Sequence, residues 1–121
     1  MAAKPAPTGE FTLSVSGHVV SVSLSNMSHL TRNDEVTLGT WCWDAVGTQL
    51  VMWDTSTNNA GHNPYILEIH WAGRWVPVTF TVPSDAVTCT SELIAADWFK
   101  GVVQHAWVLD GPDTYAVGGT I

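Results

Sequence analysis

Glu68 and His70 stand two residues apart in the run 65–71, on one face of an expected strand. A carboxylate and an imidazole at that spacing could ligate a metal or pass a proton, and His105 on a later strand could join them inside a small barrel. A metal centre needs three or four converging ligands, and no further residue falls at a recognisable spacing. The expectation is therefore no metal and no cofactor, with Glu68 and His70 on a solvated strand face. Asp44 and Asp54 each follow a tryptophan at a strand end. Two carboxylates near one end of a sheet could serve as acid and base for glycoside hydrolysis. Aspartate after a strand is also ordinary turn chemistry, and that is the favoured reading. The chain has no Gly-x-Ser-x-Gly elbow, no glycine-rich phosphate loop and no Cys–His pair at a familiar spacing. It reads as a protein without enzymatic activity.

Aromatic residues are the remaining candidates. Seven tryptophans stand against four lysines and arginines in 121 residues. Trp41 and Trp43 share a strand face, and Trp53 lies across from them if residues 44–48 form a hairpin loop. Trp75 sits at an expected Gly73-Arg74 turn with Arg74 beside it. Trp41, Trp43, Trp53, Trp75 and Arg74 are thus the candidate contacts for a partner or ligand. Such rings either fill a sheet core or make a platform for a sugar or a protein. Trp71 reads as core by alternation, Trp98 as docking a helix onto the sheet, and Trp107 as a strand residue among mostly apolar neighbours.

Composition narrows the partner. Charged residues are 12% of the chain, against about 25% in a typical soluble domain. The formal net charge is −7, and Lys4, Arg32, Arg74 and Lys100 are scattered. No basic stripe exists to neutralise phosphates, so nucleic acid is not an expected partner. An anionic membrane surface is disfavoured for the same reason, and no apolar run approaches the ~18 residues of a spanning helix. Residues 1–10 lack the apolar stretch of a signal peptide. The expectation is a protein that stays where it is made or leaves by lysis or assembly.

The elements that would position these residues are mostly strands. Phe11, Leu13 and Val15 alternate with polar residues, as do Val20, Val22 and Leu24. A Gly17-His18 turn puts Val15 opposite Val20 and Phe11 opposite Leu24, with a type II′ geometry that suits glycine first. The same arithmetic about Gly73-Arg74 pairs Trp71 with Val76, Ile69 with Val78 and Leu67 with Phe80. Pro77 has no N–H to donate and argues for an edge or a bulge there. Residues 36–44 and 49–54 form a third pair, apolar on both faces, and 56–64 is a polar loop. Residues 91–100 read as a short helix closed by Gly101, with Ile94 and Trp98 four apart toward the sheet. A strand over 102–109, a turn at 110–113 and a strand over 114–121 complete the chain. Cys42 and Cys89 are too few for a disulfide scaffold and read as free, buried thiols, although spacing alone does not decide whether they pair.

Together these features predict a mainly β fold, an antiparallel sandwich or barrel of about seven to eight strands with one helix over 91–100. The expected organisation is an extended N-terminal arm, residues 1–10, followed by one β-rich domain, residues 11–121. Lys4, Pro5 and Pro7 are the arm's candidate contacts. The expected function is a structural, homo-oligomeric assembly protein of a virus or phage particle, such as a capsid decoration or tail protein. The alternative is a lectin-like sandwich in which the tryptophans stack on carbohydrate.

Overall fold

Alternation of apolar and hydroxyl residues builds the first hairpin as its sequence requires. Strand β1 (Thr8–Ser16) pairs antiparallel with β2 (Val19–Ser28), with Val15 opposite Val20, Leu13 opposite Val22 and Phe11 opposite Leu24. Gly17 opens the turn at φ 60°, the left-handed region that glycine enters without steric cost. The structure, a computed structural model, describes residues 6–32, 34–50, 65–71, 73–75 and 78–118.

Two antiparallel sheets face each other in a sandwich-like arrangement. The first has the order β1-β2-β7, with β7 at Val78–Thr81. The second has six strands: β3 (Asp34–Trp43), β4 (Gln49–Leu50), β5 (Tyr65–Trp71), β6 (Arg74–Trp75), β8 (Thr88–Phe99) and β9 (Val102–Ala116). Its order is β6-β5-β3-β8-β9, and β4 also pairs with β3. Phe11, Val20 and Phe80 of the smaller sheet meet Val36, Leu38, Ile69 and Leu93 of the larger one in the core. The Phe11 N–H donates to the Asp110 carboxylate at 3.0 Å, and the Gly118 N–H donates to the Gly17 carbonyl at 2.6 Å. These bonds tie β1 to the second half of β9 and its C-terminal continuation.

Four expectations are corrected. Residues 91–100 form no helix; β8 runs through them as an interior strand between β3 and β9. Ser91, Leu93 and Ala95 are buried, while Glu92, Ile94 and Ala96 on the other face are only half-covered. Continuous pairing on both sides overrides the local i,i+4 pattern. The 65–82 hairpin survives only as Trp71 opposite Arg74 and His70 opposite Trp75, two residues off the expected register. Strand β7 pairs instead with β2, Phe80 opposite Val20, so the chain changes sheets between Trp75 and Val78. The expected partners Val76 and Pro77 lie outside the described residues. The 110–113 segment is no reversing turn; it is an irregularity inside β9, where pairing with β8 shifts between Ser91 and Leu93. Gly111, at φ 93°, lies so close to β8 that a Cβ there would fall 2.9 Å from the Ser91 carbonyl oxygen.

The fourth correction concerns the cysteines. Cys42 and Cys89 are opposite one another in the β3–β8 ladder and form a disulfide. Both are fully buried. Placing Cys89 on a strand rather than before a helix is what brings the two sulfurs together. Beside them a chain of hydroxyls crosses the core: Thr40 Oγ1 to Ser91 Oγ at 2.9 Å, and Ser91 Oγ to Tyr115 OH at 2.7 Å. Burial raises the Tyr115 pKa, and the Ser91 and Thr40 hydroxyls partly oppose that rise. Thr8–Glu10, expected in the arm, belong to β1; Pro7 is buried, and Lys4 and Pro5 lie outside the described residues.

Candidate functional site

The residues singled out for metal or acid–base chemistry are not brought together. A bulge in the β3–β5 ladder places Glu68 opposite Thr37 and His70 opposite Val36. Glu68 is exposed, whereas His70 is buried, its Nδ1–H donating to the Asp34 carbonyl at 2.7 Å. His105 lies elsewhere, on exposed β9, with Nδ1 3.2 Å from the Asp97 carboxylate. Among the described residues, no three His, Cys, Asp or Glu side chains are grouped to hold a metal. Asp44 is a turn residue: its Oδ1 accepts the Val46 and Thr48 N–H groups at 3.0 and 2.8 Å. Asp54 lies outside the described residues.

The tryptophans divide into three positions. Trp41 and Trp43 alternate with buried Thr40 and Cys42, so they occupy the outer face of the larger sheet, half-buried. Across the ladder they meet Thr90 and Thr88, and Thr90 is hydrogen-bonded to Thr114 at 2.9 Å. Trp75 is far along the sheet on β6, 48% exposed, its ring 4.4 Å from the His70 ring. Arg74 beside it is exposed. Trp53 lies outside the described residues. The structure therefore unites Trp41 with Trp43 and separates both from Trp75. Trp71, read from alternation as core, is 39% exposed and meets Trp98 edge-on at 6.1 Å. The bulge in the β3–β5 ladder turns His70 inward opposite Val36, which leaves Trp71 on the outer face of the sheet.

Sequence reasoning missed an exposed apolar surface at the β8–β9 hairpin. The end of β8 and the start of β9 form a hairpin about Lys100 and Gly101, at φ 52° and 78°. Phe99 is 62% exposed, Val102 59% and Val108 58%, with Val103 also exposed. Phe99 pairs with Val102, Trp98 with Val103 and Ile94 with Val108. The segment 102–106 is exposed on both faces, which no core strand is. Period-2 alternation fails there, and that failure is the signal available in VVQHAW. Reading residues 91–100 as a helix hid the hairpin, because its first strand was assigned to another element.

Glu35 borders this surface on the outer face of β3. Partial burial raises its pKa, and the nearby Glu68 carboxyl, by bonding and by like charge, raises it further. The Trp98 indole N–H favours the charged form and partly offsets the rise, yet it closes no hydrogen bond of full geometry. At the opposite end of the same sheet, Asp44, Ala45, Val46 and Asp85 line a shallow open depression of about 230 Å³. The outer face of the smaller sheet is different again. Thr12, Ser14, Ser21, Ser23 and Thr79 present hydroxyls beside the single carboxylic acid of Glu10, with Ser21 and Thr79 bonded at 3.2 Å.

No helix among the described residues is long and apolar enough to cross a membrane. No family model, curated protein or solved structure matches this chain, so its function is argued from these surfaces alone.

Proposed function

We propose that the chain is a non-enzymatic structural protein of an assembly, a virus or phage particle component such as a capsid decoration or tail protein, acting through protein–protein contacts. The observation that carries this reading is the exposed apolar hairpin of β8 and β9, with Phe99, Val102, Val103 and Val108 uncovered. Exposed apolar side chains on both faces of one hairpin make it a candidate interaction site. An edge strand without lysine or proline along Val102–Leu109 is poorly guarded against pairing. The low share of charge fits surfaces that become covered. A buried disulfide fits a protein that works in an oxidising setting such as a particle exterior. The partners are further copies of this chain and other structural proteins of the particle.

Sedimentation velocity over a wide concentration range tests this. The wild type is expected to self-associate, and Phe99→Glu with Val102→Glu to remain monomeric with an unchanged circular dichroism spectrum. A wild type that stays monomeric throughout removes the self-assembly reading.

Trp41 and Trp43 support a second reading, a carbohydrate platform. They share one outer face with the Thr88, Thr90 and Thr114 hydroxyls across the ladders. A sugar ring stacked on them would quench or shift tryptophan fluorescence. No change with any glycan in a panel would exclude this reading.

A further inference from the structure

The described cations are not scattered in space as they are in sequence. Lys100 is at the β8–β9 turn, Arg74 pairs with Trp71 at the end of β5, and Trp71 contacts Trp98. The Arg32 side chain lies 3.4 Å from where a Gly73 Cβ would stand. All three therefore gather at one end of the larger sheet, the end that carries the apolar hairpin. At the other end of β3 and β8, Asp44 and Asp85 line the open depression with Val46, which is 86% exposed. The two ends are separated by the length of β8, 12 residues, or about 36 Å at 3.3 Å per residue.

The end that carries the tip also holds Asp34, Glu35 and Asp97, so the complementarity lies between Lys100 with its apolar neighbours and the depression. Lys100 Nζ sits 5.4 Å from the centre of the Phe99 ring, so the tip offers one cation framed by Phe99 and Val102. The depression offers two carboxylates beside one exposed valine. We propose that the occupant of the depression is the hairpin tip of a second copy of this chain, docked head to tail. Lys100 meets Asp85 and Asp44, while Phe99 and Val102 cover Val46. Because donor and acceptor lie at opposite ends, the contact is heterologous and repeats into a ring or a filament. The chain carries a net charge of −7, and Lys100 meeting Asp44 and Asp85 is an attractive contact against that repulsive background. The proposal rests on the assembly reading and specifies its geometry.

The test is a charge exchange at two exposed positions, Lys100→Glu and Asp85→Lys, read by sedimentation velocity with circular dichroism as the folding control. Each single variant is expected to weaken self-association at least about ten-fold, since like charges then face each other. The double variant, and an equimolar mixture of the two singles, are expected to return toward the wild-type value. Added salt weakens the wild-type contact. Single variants that associate as the wild type does would overturn the head-to-tail contact while leaving assembly intact. So would association lost in Val108→Glu but kept in Lys100→Glu, which assigns the contact to the β9 edge. Uptake of the wild type by neutral lipid vesicles, with self-association untouched by either swap, would assign the tip to a membrane. A wild type monomeric at every concentration defeats both the contact and the assembly reading.

Discussion

Ser91 holds the core's hydroxyl chain together, because it bonds Thr40 on one side and Tyr115 on the other. Ser91→Ala leaves both neighbours without that partner in a buried site, at a cost of about 1–3 kcal/mol. Urea denaturation of the variant against the wild type measures this. Glu35 behaves in the opposite sense. Its pKa is raised in the fold by burial and by Glu68, so the fold favours its protonated form. That favourable contribution is full below the ordinary value of 4.5 and is lost as pH rises through the raised value. Glu35→Gln is therefore expected to stabilise the protein at pH 7, by roughly 0.2–1 kcal/mol for an exposed like-charge neighbour, and to do little below pH 4. Thermal unfolding across that range checks the sign. A variant that destabilises at pH 7 would show that Trp98 outweighs Glu68.

At the scale of elements, the disulfide joins the two central strands across a sequence separation of 47. Chain-entropy arithmetic for such a loop gives about 4 kcal/mol. Cys42→Ala with Cys89→Ala is expected to lose a comparable amount, seen as a lower urea midpoint that reductant no longer shifts. Gly111→Ala forces a Cβ to 2.9 Å from the Ser91 carbonyl oxygen at φ 93°, costing on the order of 1–3 kcal/mol; equilibrium unfolding reads it directly. What was legible in the sequence follows the same lines. The β1–β2 hairpin was readable to the residue because one face is apolar, the other polar, and a glycine marks the turn. Strand β8 was not, because an interior strand with Leu93 and Ala95 inward and Ile94 and Ala96 outward has no clean alternation. Its Ile94–Trp98 spacing imitates a helix. The partner of β7 was not legible either. Val78 and Phe80 present the same alternation to β2 as they would to β5, and the two-residue turn argument favoured the nearer strand.

For the whole molecule, the candidate surface was half legible. Trp75 and Arg74 are exposed, although they lie in β6 rather than at the expected turn, whereas the exposed apolar hairpin of β8 and β9 followed from tertiary context. Acrylamide quenching of single-tryptophan variants is expected to rank Trp75 and Trp71 above Trp41 and Trp43, and the reverse order would contradict the burial described. The placement of the disulfide has a consequence in time as well as in energy. It rivets β3 to β8 beside Trp43 and Thr88, while the far end of β8 continues into an uncovered hairpin. Local opening then has a direction: it starts at Phe99 and Val102 and stops short of Cys89. Amide hydrogens along β8 should exchange with solvent in a gradient, fastest near the tip and slowest near the sulfurs. A molecule fixed at one end and yielding at the other can fray at its hairpin tip without loosening the strands beside the disulfide.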